Sequence, residues 1–203
     1  MIDEDKTKEQ LIKEIGEFRA LVKELEDNTL SDPYRARHHQ IVTNIATAIA
    51  IEMGLSQKAI DNISIAGLLL DIGMIYISSN IVNKTSALND SEHNRLRIHP
   101  QLGYDLLNKS KFNKTILKIV LMHHERHNGT GYPYGLKDNE ILIEAKILGV
   151  ADTIAAMTYG RPQRSAFDIN EAIEELTDKS GILYNPKVVE AAIKVINSGV
   201  LNQ

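Results

Sequence analysis

The residues of this chain best suited to chemistry are its histidines and two isolated acids. All seven histidines fall between positions 38 and 127. His123 and His124 are adjacent where an apolar run, TILKIVLMHHE, meets the glycine-rich stretch NGTGYPYGLK. Imidazole at a helix C-terminus interacts well with the negative end of the dipole, so the pair alone fits capping as well as metal binding. Asp71 is the only charge in residues 65–76 (IAGLLLDIGMIY), and Asp152 is the only charge in residues 147–157 (ILGVADTIAAM). A bare buried carboxylate is costly, and such groups are normally paired, hydrogen-bonded or metal-bound. Neither segment holds a Lys or Arg for a local ion pair. Helix capping or backbone hydrogen bonds would account for either acid singly; two of them beside a histidine pair favour metal. His99 opens HPQLG just ahead of an expected helix. His38 precedes a helix whose small residues Ala46 and Ala50 admit a close neighbour. His39, His93 and His127 have no comparable context and read as solvated or supporting side chains.

The elements that must position these groups are helical throughout. Leu11, Ile15, Phe18, Val22 and Leu25 alternate spacings of four and three, one stripe of an N-terminal amphipathic helix. A helix docked on the following domain and a short coiled-coil dimer seam fit that stripe equally well. NTLSDP at residues 28–33 ends it, because a residue before proline disfavours the helical region. The chain therefore divides into an amphipathic helix and linker over 1–30 and a helical domain over 31–203. Ile41, Ile45, Ala48 and Ile49 mark one helix stopping near Gly54. Ser56 is a good N-cap for the next, through Ile60, Ile63 and Leu68 towards Gly73. Residues 78–89 read as irregular, with Asp90 or Ser91 capping another helix. Further helices fit 101–109, 113–124, 141–159, 170–179 and 186–196. No segment needs a strand, and the expected fold class is an all-α bundle.

Composition narrows the partners. A formal net charge of -4 disfavours nucleic-acid binding, which needs a basic face to release counterions. With no Cys, thiolate ligands are excluded, and any metal is held by His nitrogen and carboxylate oxygen. No apolar run approaches the ~20 residues of a membrane span, and the acidic N-terminus is unlike a signal peptide. A cytoplasmic protein is expected.

The strongest motif is HHERHNGTGYP, His123 to Pro133. It resembles the HHE-x-x-(D/N)-G-x-G-Y-P signature of HD-GYP domains, a branch of the HD metal-dependent phosphohydrolase superfamily. NK at Asn83-Lys84, HPQLG at His99 to Gly103, KILGVAD at Lys146 to Asp152 and RPQR at Arg161 to Arg164 resemble that family's other segments. The likeness runs from about His38 to about Pro186 and implies an HD-superfamily helical bundle.

By that resemblance the metal ligands are His38, Asp71, His99, His123, His124 and Asp152, with Asp71 bridging two divalent ions of Fe, Mn, Zn or Ni. One ion would have Asp71, His99, His123 and His124; the other would have His38, Asp71 and Asp152. Where relatives read HDIGK this chain reads LDIGM, so Leu70 replaces a ligating His and Met74 a phosphate-contacting Lys. Tyr34 stands where some relatives carry a Glu for a third metal. Asp71 and Lys84 are the expected catalytic residues. Arg161 and Arg164 are further phosphate contacts, and Gly131, Tyr132 and Pro133 form one wall of the nucleotide pocket. The resemblance implies cyclic di-GMP, or a related cyclic dinucleotide, as the ligand. The two substitutions favour a weak or inactive phosphodiesterase that signals through metal, nucleotide or protein-partner contacts. An active phosphodiesterase giving a linear product is the alternative, favoured by the six retained ligands.

Overall fold

The computed structural model describes residues 33–110, 112–159 and 167–199. The expected N-terminal helix, its dimer seam, the domain division near residue 30, Arg161 and Arg164 lie outside the described residues. Within them the regular elements are helices, as expected. Helix α1 spans Pro33–Glu52, α2 Gln57–Leu69, α3 Ser79–Val82, α4 Asp90–Leu96, α5 His99–Lys109, α6 Lys114–Met122, α7 Ile143–Thr158, α8 Ile169–Asp178 and α9 Pro186–Asn197.

Local chemistry explains most boundaries. Ser56 caps α2 by accepting a hydrogen bond from the Ala59 amide at 3.4 Å. Asn89, rather than Asp90 or Ser91, caps α4, in a reciprocal box with Glu92. The stretch from 78 to 89 is less irregular than expected, because the short helix α3 lies inside it. Helix α2 stops at Leu69, and Ile72–Tyr76 continues as a 3₁₀ turn, so the chain tightens at Asp71. His38 lies inside α1 and His99 is the first residue of α5; both were expected just ahead of their helices.

The core is aliphatic. Helix α7 runs through it, burying Ala145, Ile147, Leu148, Val150, Ala151, Ile154 and Ala155. Around it pack α1, α2, α6, α8 and α9, while α5 packs on α6 and on the 3₁₀ turn. Ala46 and Ala50 are fully buried in α1. Leu68, expected on the buried stripe of α2, is 47% exposed. The segment Gln57–Tyr76 is long and apolar enough to cross a membrane by length and composition, contrary to the expectation that no run reaches that length. In this fold it forms α2 and the 3₁₀ turn, packed on α1, α5, α6 and α7, and the core helix of a globular domain meets the same criterion.

Candidate metal centre

Four side chains converge where the 3₁₀ turn, α5 and the end of α6 meet. Asp71, His99, His123 and His124 each offer a donor atom, and these atoms lie within 4.8 Å of one another. His123 caps α6, whose apolar residues Ile116, Leu117, Ile119, Val120 and Leu121 anchor it in the core. Its Nδ1–H donates to the Val120 carbonyl at 2.6 Å, and the Nδ1–H of His99 donates to the Leu96 carbonyl at 2.8 Å. A carbonyl only accepts, so in both rings Nδ1 is the donor and Nε2 faces the centre, as in metal-ligating histidines. The two Nε2 atoms stand 3.5 Å apart, and His99 Nε2 is 3.2 Å from Asp71 Oδ1.

The electrostatics suit a cation. Burial pushes the His123 imidazole down to about 4 and holds His124 well below its ordinary value, with neighbouring histidines adding to the effect. Both rings are therefore neutral near pH 7 and free to coordinate. Burial pushes the Asp71 carboxyl up, but the His39 hydrogen bond and the fields of His99, His39 and His123 reverse that, holding it well below the carboxylate range. Asp152 behaves alike: burial raises it, and the His38 hydrogen bond and field bring it down. An anionic carboxylate among neutral imidazoles, with no thiolate, is a donor set for Fe, Mn, Zn or Ni. These four residues fit a divalent ion.

The remaining expected ligands stand beside this cluster. His38 Nε2 is 2.9 Å from Asp152 Oδ1. The two acids thus have histidine partners where Lys or Arg was lacking. Leu70, where the family motif has histidine, is 1% exposed and belongs to the hydrophobic core. Lys84, expected on a phosphate, instead donates to both oxygens of Glu92 at 2.8 and 2.6 Å. His127 is paired with Asp138 at 2.8 Å, and His93 is exposed.

Of the two roles expected for His39, solvated or supporting, the structure shows the second: it is 6% exposed, and its Nε2 is 3.3 Å from Asp71 Oδ2. The repeated HisHis at 38–39, echoing 123–124, was the available signal.

The glycine-rich loop that carries Gly131, Tyr132 and Pro133 lies against the cluster through Tyr132. The Tyr132 ring stacks on His124, with centroids 4.6 Å apart, and the Arg97 guanidinium lies 5.7 Å from its centre. Burial, with the fields of Asp71 and Asp152, pushes the Tyr132 phenol up, so it stays a neutral O–H. Gly131 is present for space rather than for a left-handed turn: a Cβ there would collide with the Arg126 amide nitrogen, Glu125 Cα and the His124 carbonyl. Glu125, which sequence reasoning passed over, organises this loop. It is 5% exposed and accepts the Tyr134 and Leu136 amides at 2.8 and 2.9 Å.

A helical bundle with this histidine–aspartate centre is the architecture of an HD-domain protein. The HD domain family profile matches residues 21–188, and the chain belongs to that family. Its similarity extends to the HD-GYP type. A cyclic di-GMP phosphodiesterase of Thermotoga maritima is 38% identical over 199 residues, 94% of this chain and 53% of that protein. The cyclic di-GMP phosphodiesterase response regulator RpfG of Xanthomonas campestris is 34% identical over 184 residues, 85% of this chain and 49% of that protein. The chain thus spans about half the length of these curated relatives. Among solved structures, an HDG"Y"P protein from Bdellovibrio bacteriovorus matches with a TM-score of 0.66 at 21% identity, over 80% of this chain and 52% of that one. The HD domain of a Listeria monocytogenes phosphodiesterase in complex with cyclic-di-AMP matches with a TM-score of 0.65 at 15% identity, over 89% and 96% of the two chains. At these identities the structural matches bear on the fold alone.

Proposed function

We propose that this chain is a cyclic-dinucleotide signalling domain that holds a divalent metal and hydrolyses cyclic di-GMP much more slowly than a domain with an intact HD motif. The observation carrying the proposal is the four-donor cluster of Asp71, His99, His123 and His124 beside Tyr132, with Leu70 turned to core. The names of the relatives, cyclic di-GMP phosphodiesterases and in Vibrio cholerae a 3'3'-cGAMP-specific phosphodiesterase, supply the ligand class.

Each residue has a role in this reading. His99, His123 and His124 would hold one ion together with Asp71, whose carboxylate would also serve a neighbouring ion near His38 and Asp152. When bound, such ions polarise the phosphodiester and activate water. Tyr132, kept protonated, can donate to a phosphate oxygen, and Arg97 beside it adds positive charge. Arg161 and Arg164 are proposed as further phosphate contacts. Lys84, committed to Glu92, must break an ion pair to serve as one. The second ion lacks the nitrogen of residue 70, and Met74 brings no ammonium to the phosphate. Both losses fall on turnover more than on ligand binding, since Gly131, Tyr132 and Pro133 are retained.

The test compares the purified chain with a Leu70→His/Met74→Lys variant, measuring bound metal and linearised product from cyclic di-GMP. We expect metal in both, and product chiefly from the variant. Turnover by the unmodified chain equal to that of the variant would overturn the impaired reading. One observation favours that second reading, an active phosphodiesterase: the contact of His39 with Asp71.

A further inference from the structure

We infer that His39 supplies the metal-binding nitrogen that Leu70 does not, relocating one ligand of the second ion from the end of α2 to helix α1. This rests on the proposal that Asp71, His99, His123 and His124 hold the first ion.

The Asp71 carboxylate is shared between two sides. Its Oδ1 faces His99 Nε2 at 3.2 Å, within the four-donor cluster, and its Oδ2 faces His39 Nε2 at 3.3 Å. A carboxylate presented in that way is arranged to bridge two ions. By the family resemblance the other donors to the second ion are His38 and Asp152, themselves 2.9 Å apart. Two donors bound to one ion at about 2.1 Å stand roughly 3.0 Å apart at a right angle and roughly 3.4 Å apart at a tetrahedral angle. The His39–Asp71 and His38–Asp152 separations both match such edges. The His38 and His39 ring centroids are 6.3 Å apart, so the neighbouring side chains splay, one to each carboxylate.

The backbone is built for this contact. Helices α1 and α2 pass each other closely at Thr43 and Gly67, where a Cβ on Gly67 would lie 2.6 Å from Thr43 Oγ1 and 3.1 Å from its Cα. His39 is four residues before Thr43, and Asp71 is four residues after Gly67. One turn back along α1 from Thr43, and just past the end of α2 from Gly67, the two side chains come together. Thr43 also donates its hydroxyl to the His39 carbonyl at 2.8 Å. Leu70, buried in the core, carries no atom that could compete for the same place.

The competing role is a positioning residue, in which His39 only donates a hydrogen bond to Asp71. His39→Gln separates the two, because the amide keeps a donor but no imidazole nitrogen. The full chain, stripped of metal, is titrated with Mn(II), and bound ions and magnetic coupling between paired ions are read by electron paramagnetic resonance. The unmodified chain should bind two ions per chain and show coupling. His39→Gln should keep the tight first ion, which also reports that the fold is intact, and lose the second and the coupling. The loss should exceed the roughly 10–100-fold weakening that removal of a supporting contact causes. His39→Gln/Leu70→His should recover the second ion. Two ions of unchanged affinity in His39→Gln would overturn the inference, as would an unmodified chain that stops at one ion while Leu70→His reaches two. In either case the four-donor reading stands. An unmodified chain that binds no Mn(II) overturns both.

Discussion

Replacing Glu125 with alanine tests whether the glycine-rich wall is held by one buried carboxylate. Glu125 is 5% exposed and accepts the amides of Tyr134 and Leu136, nine and eleven residues further on. A hydrogen bond to a charged group contributes about 1.5–3 kcal/mol, so the two together stabilise the loop by roughly 3–6 kcal/mol. Desolvating the carboxylate costs several kcal/mol and is recovered in the variant. Water reaching the freed amides, once the loop loosens, offsets more. The expected net loss is about 2–4 kcal/mol, or roughly 5–15 °C in Tm for a domain of this size. Glu125→Gln retains one acceptor oxygen but sets its NH₂ against the other amide, so it should recover less than half of that loss. Differential scanning fluorimetry and urea unfolding of the metal-stripped chain give the number. His124 precedes Glu125, and its carbonyl lies against Gly131, so first-ion affinity for Mn(II) should fall in parallel. An alanine variant within 1 °C of the unmodified chain, on an expected scale of several degrees, would refute the assignment of loop stability to this residue.

Two further outcomes follow from the same geometry. Gly131→Ala forces a Cβ into backbone atoms that cannot rotate away; the loop must shift, and unfolding should show a loss of about 2 kcal/mol or more, together with weaker first-ion binding. Wild-type stability in that variant would show the wall to be more compliant than its packing indicates. The second concerns pH. Burial holds folded His123 at about 4, against an ordinary 6.5, so between those values the unfolded chain binds more protons. Stability of the metal-stripped chain therefore rises with pH across that window, is fully present above it, and is lost towards its lower end. The gap amounts to about 3 kcal/mol. Urea unfolding at intervals from pH 4 to 7 should show this slope, and His123→Gln should flatten it; an unchanged slope in the variant would assign the effect elsewhere.

Most of the site was legible before any fold was known, because its chemistry is local in sequence. The histidine pair ending an apolar helix, the lone acids in apolar runs and the HHERHNGTGYP segment each state a residue type that packing alone does not call for. Helix extents followed from apolar spacing and caps, with errors of a few residues where Asn89 outcompeted its neighbours as a cap or a 3₁₀ turn replaced the end of α2. Other features depended on contacts between segments far apart in the chain. Glu125 is an ordinary charged residue until two amides of the following loop fold onto it. Lys84 is a free cation in sequence, but Glu92, eight residues on, closes over it. Exposure at Leu68 follows from which face of α2 its neighbours cover.

By itself, then, the sequence determined a helical HD-type domain and pointed to its candidate His and Asp donors and to Leu70 as the departure from the family motif. What only the tertiary structure decided is that His39 stands beside Asp71. The reason lies in how closely α1 passes α2. No spacing along the chain encodes that distance; packing at Thr43 and Gly67 sets it and brings His39 to the open oxygen of Asp71.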